Sequence, residues 1–292
     1  MRVGAFEVTE PVPELNEPHA FAVVPNWIDV GRSGSLTLSR MEKLFGGEKL
    51  AALARPGEFY DFTRYRPMLS RKGESAEVIF VNAMVTYGRR NEGPDFVFLR
   101  LPEPHTMAET FVESVVELLK RLNVKRYSLL GSVYDMVPYT RPLLVTSSAS
   151  NQSLRNNLSV TKVVPSDYNG PTSFLSLIEQ YMSQIGIEAL SLIVHIPGYL
   201  TLDDDYRGEK RLMEVIGSLY GLEVPQEAID KAKNQEDRFR QQSEQLLEQQ
   251  PELRAILKQL EDNYDARVNA RKEVTHLSPE VEKFLKELNE RF

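Results

Sequence analysis

Apolar residues recur along the chain in short runs separated by polar, glycine- and proline-bearing turns. Residues 20–27 form a near-continuous apolar run, the pattern of a strand buried on both faces. Gly31-Arg32-Ser33-Gly34-Ser35 follows and opens a helix running to about residue 45. Shorter strands are predicted over 59–62, 68–70 and 77–84, the last two joined by a Lys72-Gly73-Glu74 turn. Another apolar strand, 96–101, ends at Pro102-Glu103-Pro104. Thr106-Met107-Ala108-Glu109 has the spacing of a capping box, in which the threonine hydroxyl and the glutamate each satisfy an end amide. Behind it Met107, Phe111, Val115, Leu118, Leu119 and Leu122 share one helical face. Strands are predicted over 127–131, 143–146 and 190–196. Helices are predicted over 172–185 and 206–220, stopped by Gly186 and Gly221. Strands alternating with amphipathic helices predict an α/β fold, a three-layer αβα domain around a largely parallel or mixed sheet.

The pattern changes at Pro225. Gln, Glu, Lys and Arg dominate, and the apolar positions thin to Phe239, Leu246 and Leu247, then Leu253, Leu257, Leu260, Tyr264 and Val268 on one face. So narrow a stripe suits a helix lying on another surface or pairing with a partner helix. Ser278-Pro279-Glu280 starts a last helix with a cap and a first-position proline. The chain is therefore divided into an α/β core, 1–224, and a C-terminal helical extension, 225–292.

Composition excludes several classes. A net charge of −7 with interspersed signs gives no footprint for nucleic acid. No cysteine is present, which removes disulfides, thiolate metal sites and cysteine nucleophiles. No apolar run approaches the roughly 20 residues of a membrane span, and the first residues lack a signal-peptide pattern. A cytoplasmic protein without cofactor is expected. The four histidines, His19, His105, His195 and His276, are scattered without metal-ligand spacing, and His195 fits a satisfied core residue within its strand. No Gly-x-Ser-x-Gly elbow supports a serine hydrolase. Asp203-Asp204-Asp205 suits the start of the 206–220 helix.

The candidate chemistry is concentrated in loops after strands. Pro138-Tyr139-Thr140-Arg141-Pro142 leads into Leu143-Leu144-Val145-Thr146-Ser147-Ser148. Its prolines forbid regular helix, and a half-buried Arg141 must find acceptors. Thr140 and Thr146 can add hydroxyl donors around an anion, or Arg141 can pin its own loop; the residues leave both readings open. The Gly31 turn stands where amides can cradle phosphate, although a tight turn whose serines cap the helix is the preferred reading, with Asp29 as a cap or as an acceptor from a nearby arginine. Arg64 and Arg66, two apart in a strand, would share a face suited to an anion, or pair with Asp61 or Asp29. Glu103 and Asp135 are the carboxylates placed for acid–base work near strand ends.

Taken in order, these loops resemble the proteasome assembly chaperone 2 family. The family's Pro-His-Thr-Arg-Pro signature aligns with Pro138-Tyr139-Thr140-Arg141-Pro142. Asp29-Val30-Gly31, the 59–67 segment, Glu103-Pro104, Tyr168-Asn169-Gly170-Pro171-Thr172 and Pro197-Gly198-Tyr199 follow the family order. Tyr139 replaces the usual histidine, and Pro102 a common glycine, which argues against a general base at either position. The resemblance implies a phosphorylase/hydrolase-like architecture and a homo-oligomer, with a trimer expected. The absence of a convincing catalytic constellation and the polar helical tail point to a non-catalytic, assembly-chaperone-like interaction protein of this family, for which a protein partner is possible; the alternative is a protein or enzyme binding a phosphate- or nucleoside-type small molecule. Docking on a proteasome through a C-terminal hydrophobic-Tyr-x motif is not supported, since Arg291 stands where the tyrosine would be.

Overall fold

A computed structural model describes residues 1–275 apart from residues 74, 201 and 250. The helix expected from Ser278 and the terminal Arg291-Phe292 lie outside the described residues. In chain order the first elements are β1 (Arg2–Val3), β2 (Phe6–Val8), β3 (His19–Val23), α1 (Ser33–Phe45) and β4 (Glu48–Leu53). Next come β5 (Met68–Lys72), β6 (Ser75–Ile79), β7 (Met84–Gly88), β8 (Phe96–Arg100), α2 (Ala108–Arg121) and β9 (Arg126–Asp135). Then follow β10 (Val145–Ala149), α3 (Gln152–Leu158), β11 (Val164–Pro165), α4 (Phe174–Gln184) and β12 (Glu188–Pro197). Helices α5 (Tyr206–Tyr220), α6 (Gln226–Gln249) and α7 (Leu253–Thr275) close the described chain.

All of these strands except β5 and β6 join one mixed sheet, ordered β1-β2-β4-β7-β8-β3-β9-β12-β10-β11. At its centre β8, β3, β9 and β12 run parallel. A central parallel strand is covered on both faces, which is why β3 is apolar at successive positions. Alternation then sorts its residues. Ala20 and Ala22 face the layer of α2 and α4, with Phe111, Leu118, Ile178 and Met182. Phe21 and Val23 face the layer of α1, α3 and α5, with Leu38, Met41, Leu154 and Ile216. This is the expected αβα sandwich with helical elements after it.

Three local expectations are corrected. Residues 59–62 are not a strand: Phe59 and Tyr60 are buried in a turn-rich loop, Phe59 packing edge-on against Phe111 at 5.5 Å. Arg64 and Arg66 therefore share no strand face. The 77–84 run is broken, because β5 and β6 pair as a separate hairpin and β7 begins only at Met84. Thr106 makes no cap for α2. Met107 takes a left-handed conformation there, and the amides of His105 and Thr106 are held by the Phe59 carbonyl. The expectations for Asp29 and Asp205 as caps hold: Asp205 Oδ1 accepts from the amides of Arg207 (3.0 Å) and Gly208 (3.1 Å).

Candidate functional site

The carboxyl ends of β8, β3, β9 and β12 open on one edge of the sheet, the usual ligand crevice of α/β proteins. Asp29, Glu103, Asp135 and the Thr140–Arg141 loop all follow these ends. What each does there differs.

Asp29 and Gly31 are built into the fold. Asp29 Oδ1 accepts from the amides of Gly34 (2.8 Å) and Ser35 (3.2 Å), and Oδ2 from the Ser35 hydroxyl (2.6 Å). Burial pushes this carboxyl up, opposed by those hydrogen bonds. Gly31 has φ 57°, and a Cβ there would stand 2.8 Å from the Asp205 Cβ. The turn is thus closed against the start of α5, and its Gly34 and Ser35 amides serve its own aspartate.

Arg64 and Arg66 are exposed on the 59–67 loop; Arg64 faces Asp61 at 3.7 Å. No described hydrogen bond or ion pair brings either to Arg141. Glu103 is half-buried beside this loop, its carboxyl raised by burial.

Asp135 and Thr146 are brought together by a residue that sequence reasoning assigned to the core. His195 Nδ1 lies 2.8 Å from Asp135 Oδ2, and its Nε2 2.9 Å from the Thr146 hydroxyl. Arg267 of α7 donates to the same Asp135 oxygen at 3.0 Å. The bond from His195 is the first cause, with Arg267 and the Met136 amide adding to it, that holds Asp135 far below the usual carboxylate range. An ionised Asp135 accepts from His195 Nδ1–H, and in the neutral tautomer this leaves Nε2 as the acceptor for the Thr146 hydroxyl. The order carboxylate–imidazole–hydroxyl is that of a hydrolytic triad. Thr146, however, is only 5% exposed and lies within β10, between β12 and β11. The relay ties the ends of β9, β10 and β12 together.

Arg141 finds its anions on α7. Its Nε and Nη2 donate to the two oxygens of Asp265 at 3.1 and 2.9 Å, a bidentate fork, and Nη1 donates to Glu261 at 3.2 Å. The Thr140 hydroxyl donates to Glu261 as well. The guanidinium holds the Asp265 carboxyl below its ordinary range. Next to this contact a cavity of about 610 Å³ opens between α5, α6 and the 139–143 loop. It is lined by the cations Arg141, Arg207, Lys210, Arg211 and Arg240 and by Glu214, Glu236 and Glu244. Sequence reasoning missed Glu261, Asp265 and Arg267. The available signal was Glu261 and Asp265 four apart, flanking the apolar face of Leu257, Leu260 and Tyr264.

The fold and site define a layered α/β protein whose strand-end residues Thr140, Arg141 and Asp135 are paired with helix α7. Residues 23–247 match the PAC2 family, and the chain belongs to that family. A Mycobacterium tuberculosis protein of unknown function is 25% identical, with TM-score 0.76 over 94% of this chain and 93% of that one. A proteasome-assembly chaperone homologue from the same organism is 19% identical, with TM-score 0.69 over 76% of this chain and 94% of the other. PbaB of Pyrococcus furiosus, an archaeal proteasome activator, is 15% identical, with TM-score 0.64, covering 82% and 98%. These last two likenesses are of fold. No curated protein matches the chain. Among the described residues no helix is long and apolar enough to cross a membrane.

Proposed function

We propose that the protein is a self-associating, non-catalytic, assembly-chaperone-like member of the PAC2 family, acting in the cytoplasm. The observation that carries this reading is the β5–β6 hairpin. It stands apart from the main sheet and pairs Met68 with Ile79 and Leu69 with Val78. All four side chains are exposed, Met68 at 72%, and successive residues point to opposite faces. An isolated two-stranded hairpin is marginal in water, and apolar surface of this kind marks a protein interface. Because both faces are apolar, a partner must enclose the hairpin, as neighbouring copies in a closed ring do. A proteasome-assembly chaperone homologue and an archaeal proteasome activator among the fold neighbours support the chaperone-like role. The burial of Thr146 supports the absence of nucleophilic chemistry.

Native mass spectrometry of the full chain tests this reading. The wild type should form a closed homo-oligomer, with a trimer expected, and Leu69→Lys combined with Val78→Glu should yield monomers. A wild type that stays monomeric at all working concentrations sinks it. The 610 Å³ cavity beside Arg141 favours a second reading, a phosphate- or nucleoside-type ligand. Calorimetric titration with a nucleoside monophosphate decides that reading, and heat lost in Arg240→Ala would locate it.

A further inference from the structure

The contacts that tie α7 to the strand ends are polar and arranged in a fixed order. Along the helix come Glu261, Asp265 and then Arg267; on the body they meet Thr140 with Arg141, Arg141 again, and Asp135. The body therefore offers a cation beside an anion, and α7 offers two anions followed by a cation. Residues four apart share a helix face, so Glu261 and Asp265 reach Arg141 together. A shift by one turn would lose the Asp265 fork, which fixes the register.

Apolar contact adds little to this attachment. Leu260 is buried, Leu257, Tyr264 and Val268 are half-buried, and Ile256 is exposed. The carboxylates and Arg141 keep between 24% and 46% of their side-chain surface in contact with solvent. Half-exposed pairs weaken with salt, and what lifts these above an isolated surface pair is the register-dependent geometry of the fork with Asp265 and the shared Glu261. The helix follows α6 through a short connection containing Pro251. An element held by salt-sensitive, register-specific contacts with little apolar burial can move between identical chains at low cost, because every contact it loses in one copy it regains in the other.

We propose that Thr140, Arg141 and Asp135 form a seat for an acidic helix, and that in the assembled protein this seat is filled by α7 of a neighbouring copy. The proposal rests on the self-association reading above and adds to it which element crosses between subunits.

The chain has no cysteine, so engineered thiols report the contact without background. One full-length variant carries Thr140→Cys and another Glu261→Cys, both keeping the Arg141–Asp265 fork. Mixed and oxidised, they should form a mixed disulfide dimer whose yield rises with protein concentration and falls several-fold in molar salt. Adding Arg141→Asp to the first variant should abolish the cross-link, and Asp265→Arg in the second should restore it. The double variant Thr140→Cys/Glu261→Cys should give covalent oligomers. Closure of that variant only within single chains, with no cross-link in the mixture, overturns the exchange. Native mass spectrometry separates the two readings. Oligomers without the cross-link remove the exchange alone; a cross-link between the thiol variants that persists, with oligomers indifferent to the hairpin substitutions, removes the hairpin reading alone.

Discussion

Helices α6 and α7 are neighbours in a stretch of uniformly polar composition, yet they are attached in opposite ways. Helix α6 is held on a buried base. Arg40 of α1, 8% exposed, donates to buried Glu209 of α5 at 2.8 Å and to the exposed Glu227 of α6 at 2.6 Å. Ala228 and Ala232 are buried, and Phe239 lies under the Arg207 guanidinium at 4.5 Å. Gln235 accepts from the Tyr206 amide and donates to the Asp204 carbonyl, both at 2.9 Å. Helix α7 has ion pairs of the same chemical type, open to solvent, with a single buried leucine behind them. The lesson is that burial, more than the count of salt bridges, separates a fixed helix from a releasable one. A buried charge that loses its partner cannot recover water, whereas an exposed one can.

The largest test of that contrast is Arg40→Met. It leaves the Glu209 carboxylate buried, with one oxygen already unpartnered, and should cost roughly 3–5 kcal/mol. Urea unfolding measures the loss, and a change under about 1 kcal/mol would mean that the buried Arg40 does not anchor α1, α5 and α6 together as argued.

pH sharpens the same comparison, because the core and α7 respond with opposite sign. Glu179 of α4 has a buried, unpartnered oxygen, and burial raises its pKa from 4.5 to about 7. The native state then keeps a proton that the unfolded chain has released, so global stability falls as pH rises between those values. The fall should be on the order of 2–3 kcal/mol between about pH 5 and pH 8, and Glu179→Gln should flatten it. A slope unchanged by the substitution removes Glu179 as its source. Asp135 and Asp265 are shifted the other way, the first chiefly by His195 and the second by Arg141. Their contribution is complete above the ordinary carboxylate value and is lost as pH falls below it toward their lowered values, so acid should loosen α7 in a window beneath the one in which protonated Glu179 stabilises the core.

The smallest effect concerns Arg141→Ala. Global stability should change little, because the guanidinium is open to solvent. Amide hydrogen exchange in α7 should accelerate by roughly tenfold while α6 stays protected. Equal acceleration in both helices would erase the distinction between them.

Much of the fold was legible wherever a pattern was local and periodic. The apolar run of β3, the face of α2, and the glycines ending α4 and α5 each follow from one stretch of chain. Legibility failed where a distant contact overruled a local one. The 59–62 aromatics alternate like a strand, but Phe59 is claimed by Phe111 and the Phe59 carbonyl by the amides of His105 and Thr106. That same hold displaces the Thr106 cap. His195 looked like a core histidine because its strand is apolar. Its neighbours follow from register, since β12 runs parallel to β9 with Pro197 opposite Asp135, and antiparallel to β10 with Val194 opposite Val145.

By itself the sequence determined the alternation of strands and helices, the concentration of chemistry-bearing loops after strands, and the demand of Arg141 for an anion. These depend on residues within a turn or two of one another, where propensity and periodicity act. Only the tertiary structure decided which anion Arg141 meets. Glu261 and Asp265 lie more than a hundred residues away, and pairing over that span is set by how the layers stack the chain ends together. The same holds for the hairpin, whose sequence resembles any short strand pair until the main sheet is seen to leave it outside. Local chemistry states what a residue needs, and packing alone supplies it.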